Sequence, residues 1–98
     1  MITEIAQIEV KPGNEADFEA TVAQARPLFA RAKGCHGIEL HRSVEKPSRY
    51  RLMVKWATLE NHTVDFRESP DFAAWRALAG PHFASPPDVE HTANVLKD

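Results

Sequence analysis

The sequence predicts an α+β fold: one four-stranded antiparallel sheet with helices packed on a single face. Three observations carry this expectation. Four stretches alternate apolar and polar residues at the period of a strand. Between the first two, apolar residues recur at helical spacing, and two separate helix-start signals follow the third.

The first strand runs from Ile2 to Val10. Ile2, Ala6, Ile8 and Val10 share one parity, with Glu4 as the exception, and Thr3, Gln7 and Glu9 take the other together with Ile5. Lys11-Pro12-Gly13-Asn14 breaks the strand and places Asn14 to cap a helix. In that helix Phe18, Val22, Ala25 and Phe29 form an apolar stripe. Glu15, Asp17 and Glu19 crowd its start and Arg31 and Lys33 its end, as the helix dipole favours. Pro27 predicts a kink, and Gly34 ends the helix.

Gly37 to Val44 reads as the second strand, with Ile38, Leu40 and Val44 in phase. Glu45-Lys46-Pro47-Ser48 makes a hairpin-length connection. Tyr50, Leu52, Val54 and Trp56 alternate most clearly and make the third strand. Thr58 caps a helix from Leu59 to about Glu68, and Ser69-Pro70 starts another that runs to about Ala79. Gly80-Pro81 and Pro86-Pro87 bound a loop. Val89, His91, Ala93 and Val95 then alternate in a fourth strand. The order is the ferredoxin-like βαββαβ pattern with its second helix split.

The chain has 98 residues, which fits a single domain over 1–98. With 27% charged residues and a net charge of −2, a large basic surface for nucleic acid is not expected. One cysteine, Cys35, precludes an internal disulfide and makes the cytosol the expected compartment. Neither a signal peptide nor a membrane span is expected from the alternating N-terminus and the absence of long apolar runs. Two other branches of the fold fit poorly. A metal chaperone needs a CxxC, and an RNA-recognition module needs aromatics on both central strands amid basic residues, whereas the first strand has none.

The stretches "IEVKPGNEADFEA", "GCHGIELHRS", "YRLMVKWATLENHTVDFRESPDFAAWRAL" and "PPDVEHTANV" together resemble the antibiotic biosynthesis monooxygenase (ABM) domain over nearly the whole chain. The most specific features are the strand-ending Trp56 followed by a histidine-bearing helix, the Ser-Pro-x-Phe restart, and the Val-Glu-His strand. The resemblance implies a dimeric α/β barrel in which two sheets pack by their open faces. Ile5 and Met53 lie on that face and gain from being covered, though Arg51 and Lys55 share it.

His62 is the candidate catalytic residue. Leu59, His62, Thr63 and Phe66 share a helical face, so His62 points inward or along the rim. A neutral imidazole there accepts a proton or a hydrogen bond from an acidic phenol or enol; alternatively it holds the broken helix in place. Trp56 and Trp75 are core residues or walls for a flat aromatic ligand, with Phe66 beside them. His91 faces either a pocket or a dimer seam. Arg76 and Arg67 either neutralise an anionic substrate or pair with Asp65, Glu68 or Asp71 at the surface. His82 is expected to be exposed at a pocket lip.

No metal site is expected: His36 and His41 have opposite parity, and neither HExxH nor paired cysteines occur. Some relatives in this fold degrade haem and resemble one another in an asparagine on the first strand and a haem-ligating histidine on the late helix. Here Ala6 or Gln7 lies near the asparagine position, and "PDFAAWRALAG" has no histidine, so no cofactor is expected. The resemblance implies cofactor-independent oxygenation of a small aromatic, quinol or polyketide-like molecule by dioxygen. A non-catalytic small-ligand-binding dimer, and an isomerase or haem-binding relative of the same fold, remain alternatives.

Overall fold

The computed structural model describes residues 1–96; Lys97 and Asp98 lie outside the described residues. The elements are β1 (Ile2–Glu9), α1 (Glu15–Ala30), β2 (Cys35–Arg42), β3 (Arg49–Trp56), α2 (Pro70–Ala79) and β4 (Asp88–Ala93). A π-helical segment, Asn61–Phe66, stands between β3 and α2. The four strands form one antiparallel sheet in the order β2-β3-β1-β4, the ferredoxin-like arrangement.

Strand alternation decides which residues meet the helices. Ala6, Ile8 and Val10 are buried beside Tyr50, Leu52, Val54 and Trp56, with Ala6 opposite Leu52 and Ile8 opposite Tyr50. The stripe of α1 closes this core: Phe18, Val22, Ala25 and Phe29 are all buried. Tyr50 is apolar in body but polar at its tip, and its hydroxyl donates to Glu19 on α1 at 2.6 Å.

Several local expectations are corrected. Asn14 does not cap α1 with its side chain, which instead contacts His82 Nδ1 through Nδ2 at 3.3 Å. Pro27 lies inside α1 without ending it; one turn from the C-terminus, it removes a single backbone donor near where the helix stops anyway. His82, expected at the surface, is half-buried and lies against Asn14 and Thr21.

The second helix is split, and its first part is wound more loosely than an α-helix. Thr58 and Asn61 cap each other: Asn61 N–H donates to Thr58 Oγ1 at 3.2 Å and Thr58 N–H to Asn61 Oδ1 at 3.0 Å. Arg67 N–H then reaches back five residues to the His62 carbonyl, the hydrogen bond of a π-helix. The wider turn shifts every side chain's phase. Asn61, His62 and Phe66 are buried, whereas Leu59, expected to face the sheet, is exposed. Ser69 Oγ accepts the Phe72 N–H and restarts the chain as α2, with Pro70 in the first turn.

A candidate active site between sheet and split helix

β1 places a carboxylate where its pattern calls for an apolar residue. Glu4 lies on the helix-covered face, opposite Val54 on β3 and His91 on β4, and is only 6% exposed. The neighbouring strand end supplies its partner: Trp56 Nε1–H donates to Glu4 Oε1 at 3.0 Å. The π-helical segment lowers His62 onto the same oxygen, with Nε2 3.3 Å from Oε1. The imidazole stacks on the Trp56 indole, 5.4 Å between centroids at 16°. Its other nitrogen, Nδ1, lies 2.7 Å from His91 Nε2. Trp56, Glu4, His62 and His91 thus form one continuous polar chain across β3, β1, the π-helical segment and β4.

Burial sets the charge states. Removal from water raises the Glu4 carboxyl from 4.5 to about 6, against the pull of the Trp56 N–H and the Arg67 charge. Burial, the Arg67 charge and His91 hold His62 down to about 4. His91 is shifted down for the first two of those reasons. At neutral pH Glu4 is therefore ionised and His62 neutral. His62 Nε2 and Glu4 Oε1 stand in close polar contact at 3.3 Å, whereas the hydrogen bond of His62 is the one between its Nδ1 and His91. Of the two facing nitrogens, His62 Nδ1 and His91 Nε2, one donates and the other accepts.

Above this chain lies a half-open cavity of about 790 Å³. Ala6, Ile8 and Leu52 form its apolar floor, Phe72 and Trp75 its wall, and the loop from Phe83 to Pro87 with Val89 its rim. Glu4 and His62 are the polar groups at the bottom; Arg67 and Arg76 stand at the mouth. Such a chamber admits a flat apolar molecule and brings its polar edge to a carboxylate–imidazole pair.

Of the residues singled out from sequence, His62, Arg67, Trp75 and Arg76 line the cavity. His91 reaches it through His62. Trp56 and Phe66 lie one layer behind, fully packed: Trp56 beneath the imidazole, and Phe66 against Trp56, Phe29 and Phe72. The ion pairs expected for the two arginines do not form. Asp71 is held by Arg31 through two hydrogen bonds of 2.7 and 2.8 Å, and Asp65 accepts from Asn61. Glu4 is the residue that sequence reasoning passed over, and its signal was its place as the lone charge in an apolar register.

The same side chains do not make a ready metal site. His62 and His91 point nitrogen to nitrogen at 2.7 Å, closer than the roughly 3.3 Å between two imidazoles on one tetrahedral zinc. On the open face His41 is bonded to Glu39.

Comparison with known proteins agrees with this architecture. A family model described as antibiotic biosynthesis monooxygenase matches residues 1–78. YczJ, an uncharacterised protein of Bacillus subtilis, is 37% identical over 95 residues, spanning 97% of this chain and 100% of its own. A crystal structure of a candidate antibiotic biosynthesis monooxygenase from Bordetella bronchiseptica superposes with a TM-score of 0.95 at 64% identity, covering 97% of each chain. SnoaB, a cofactor-independent oxygenase from Streptomyces nogalater, shares the fold with a TM-score of 0.83 at 19% identity, over 98% of this chain and 94% of its own. A sheet roofed by a split helix, the extent of the family match and the near-complete overlap with the Bordetella protein lead to one assignment: the chain belongs to the antibiotic biosynthesis monooxygenase family.

Proposed function

We propose that the protein is a cofactor-independent monooxygenase that acts, as a homodimer, on a small aromatic phenol, hydroquinone or polyketide-like substrate. The observation that carries this reading is the Glu4–His62 pair at the bottom of an apolar cavity. The substrate reacts through its keto tautomer, at a ring carbon bearing two hydrogens. A proton leaves that carbon for the Glu4–His62 pair, which titrates as a unit. His62 Nε2–H turns from Glu4 to the oxyanion that develops, and the dry walls strengthen that bond. The anion gives one electron to dioxygen, and the radical and superoxide join as a peroxide at that carbon. The O–O bond then breaks with loss of water. One oxygen atom ends as a carbonyl and the other in the water, so the substrate itself supplies every electron. The reading assigns no flavin, haem or metal.

The other residues hold the arrangement. Trp75 gives the substrate a flat wall, and Arg76 guards the mouth. Trp56 and Phe66 back the imidazole, while His91 fixes its Nδ1. A cytosolic setting goes with this reading, Cys35 being a free thiol. Oxygen uptake over a panel of hydroquinones and anthrone-like ketones tests it. His62→Ala is expected to lower turnover by about 10²–10⁴-fold while the fold persists by circular dichroism. Unchanged turnover removes His62 from the mechanism.

A second reading, a ligand-binding dimer without catalysis, is favoured by one observation: His62 Nδ1 is already hydrogen-bonded to His91. Ligand-induced rises in melting temperature without oxygen uptake, across that panel, support it over the first.

A further inference from the structure

The charges around the cavity do not balance, and the imbalance specifies something about its occupant. Among the lining residues, three are ionised at neutral pH: Glu4 at the bottom and Arg67 and Arg76 at the mouth. Neither arginine forms an ion pair among the described residues, since the aspartates nearest in sequence are held by Arg31, Asn61 and Lys33. One negative charge against two positive leaves a single positive charge unanswered. Both guanidiniums are exposed side chains on the elements that roof the cavity, Arg67 just after the π-helical segment and Arg76 on α2.

Their surroundings are suited to an aromatic acid. The Arg76 guanidinium lies 5.8 Å from the centre of the Phe72 ring, and Phe72 is itself a wall of the cavity. That contact holds the group at the edge of an apolar slot. A guanidinium presents a planar fork of donors that matches a carboxylate, and it is less strongly hydrated than an ammonium. The chamber is also polarised along its depth. A negative group is repelled by Glu4 at the bottom and attracted at the mouth, so a ligand with one acidic end has a single favourable orientation.

We infer that the cavity selects a flat aromatic molecule bearing one carboxylate, held at the mouth by Arg67 and Arg76 with the ring directed towards Glu4 and His62. The inference rests on the cavity being the substrate site, as proposed above, and adds the class of substrate and its direction of entry. The carboxylate stays outside the reaction. It orients the ring so that the carbon losing its proton, not the charged substituent, meets the carboxylate–imidazole pair.

Binding tests this without turnover. Isothermal titration of the whole protein with 2-naphthoate and with the neutral isostere 2-naphthamide, at low salt, is expected to show roughly tenfold tighter binding of the acid. The preference is expected to shrink as salt is raised. In Arg67→Gln/Arg76→Gln it is expected to vanish, with amide affinity retained; both side chains are exposed, so the fold tolerates the change. Equal binding of acid and amide by the unaltered protein overturns the inference. So does a preference that survives in the double variant, or failure of both ligands to bind. Oxygen uptake with neutral hydroquinones but no acid preference leaves the oxygenase reading standing and removes this inference; an acid preference without oxygen uptake does the reverse.

Discussion

An ionised carboxylate on the covered face of a sheet is expensive to keep, and the pKa of Glu4 measures that expense. Its folded-state value of about 6 lies above the usual 4.5, so the fold prefers the protonated form. The corresponding stabilisation is complete below about pH 4.5 and is lost as pH rises through 6. A rise of that size corresponds to about 2 kcal/mol. Glu4→Gln is expected to make the protein more stable by about that amount at pH 7.5 and to give no gain at pH 4.5. The amide oxygen still accepts from Trp56. The same variant is expected to lose most oxygen uptake, because an amide takes no proton. Thermal melts at the two pH values check the sign; a loss of stability at pH 7.5 refutes the account. His62 runs the other way: its pKa is held near 4, so its contribution is present above 6.5 and lost as pH falls through 4. Glu4 was visible in the sequence as the exception to an apolar parity. Its link to Trp56 and His62 was not, since it joins residues more than fifty positions apart by a register that only the paired strands define.

At the scale of elements, β1, β3 and α1 were legible because their periods are regular, whereas β2 starts at Cys35 and ends at Arg42, leaving the expected Val44 outside, and β4 ends at Ala93, leaving Val95 outside. The apolar phases of β1, β3 and α1 are the buried ones. The segment after Trp56 was legible in its start, Thr58, and in its restart, Ser69-Pro70, but not in its winding. An α-helical template put Leu59 towards the sheet, and the π-helical hydrogen bond from Arg67 to His62 turns it out. A glycine makes that winding feasible. Gly34 sits at φ +76°, and a Cβ placed there collides with the Asn61 side chain. Asn61 has no room to retreat, being bonded to Thr58 and Asp65, and it immediately precedes His62. Gly34→Ala is therefore expected to cost about 2–4 kcal/mol, from left-handed backbone strain and overpacking together. The melting temperature should fall by roughly 10 °C or more. Oxygen uptake should fall with it even well below the melt, because His62 moves with Asn61. A variant that melts lower but turns over normally would show that the contact supports the fold alone.

At the scale of the whole molecule, the helices cover one face of the sheet and leave the other bare. Ile5 and Met53 face each other across β1 and β3 at the centre of that bare face, both only partly buried. Around them charges of both signs are spread over all four strands. β4 presents Asp88 and Glu90, β1 Glu9, β3 Arg51 and Lys55, and β2 Glu39 and His41, by the alternation that buries Tyr50, Leu52, Val54 and Trp56. A two-fold axis parallel to β1 and centred between β1 and β3 stacks the Ile5–Met53 centres of two copies and lays β4 of each over β2 of its partner. The sequence indicated the two apolar residues on this face, but which strands would lie over one another appears only once β4 is known to pair with β1 and not with β2. Met53→Glu introduces a charge at the centre and is expected to yield a monomer. Sedimentation should then report the mass of one chain where the unaltered protein reports two. Since Met53 lies on the face opposite the cavity, the monomer is expected to keep its preference for 2-naphthoate over 2-naphthamide. If dissociation abolishes ligand binding as well, the partner subunit shapes the cavity, and the site must be described as a property of two chains.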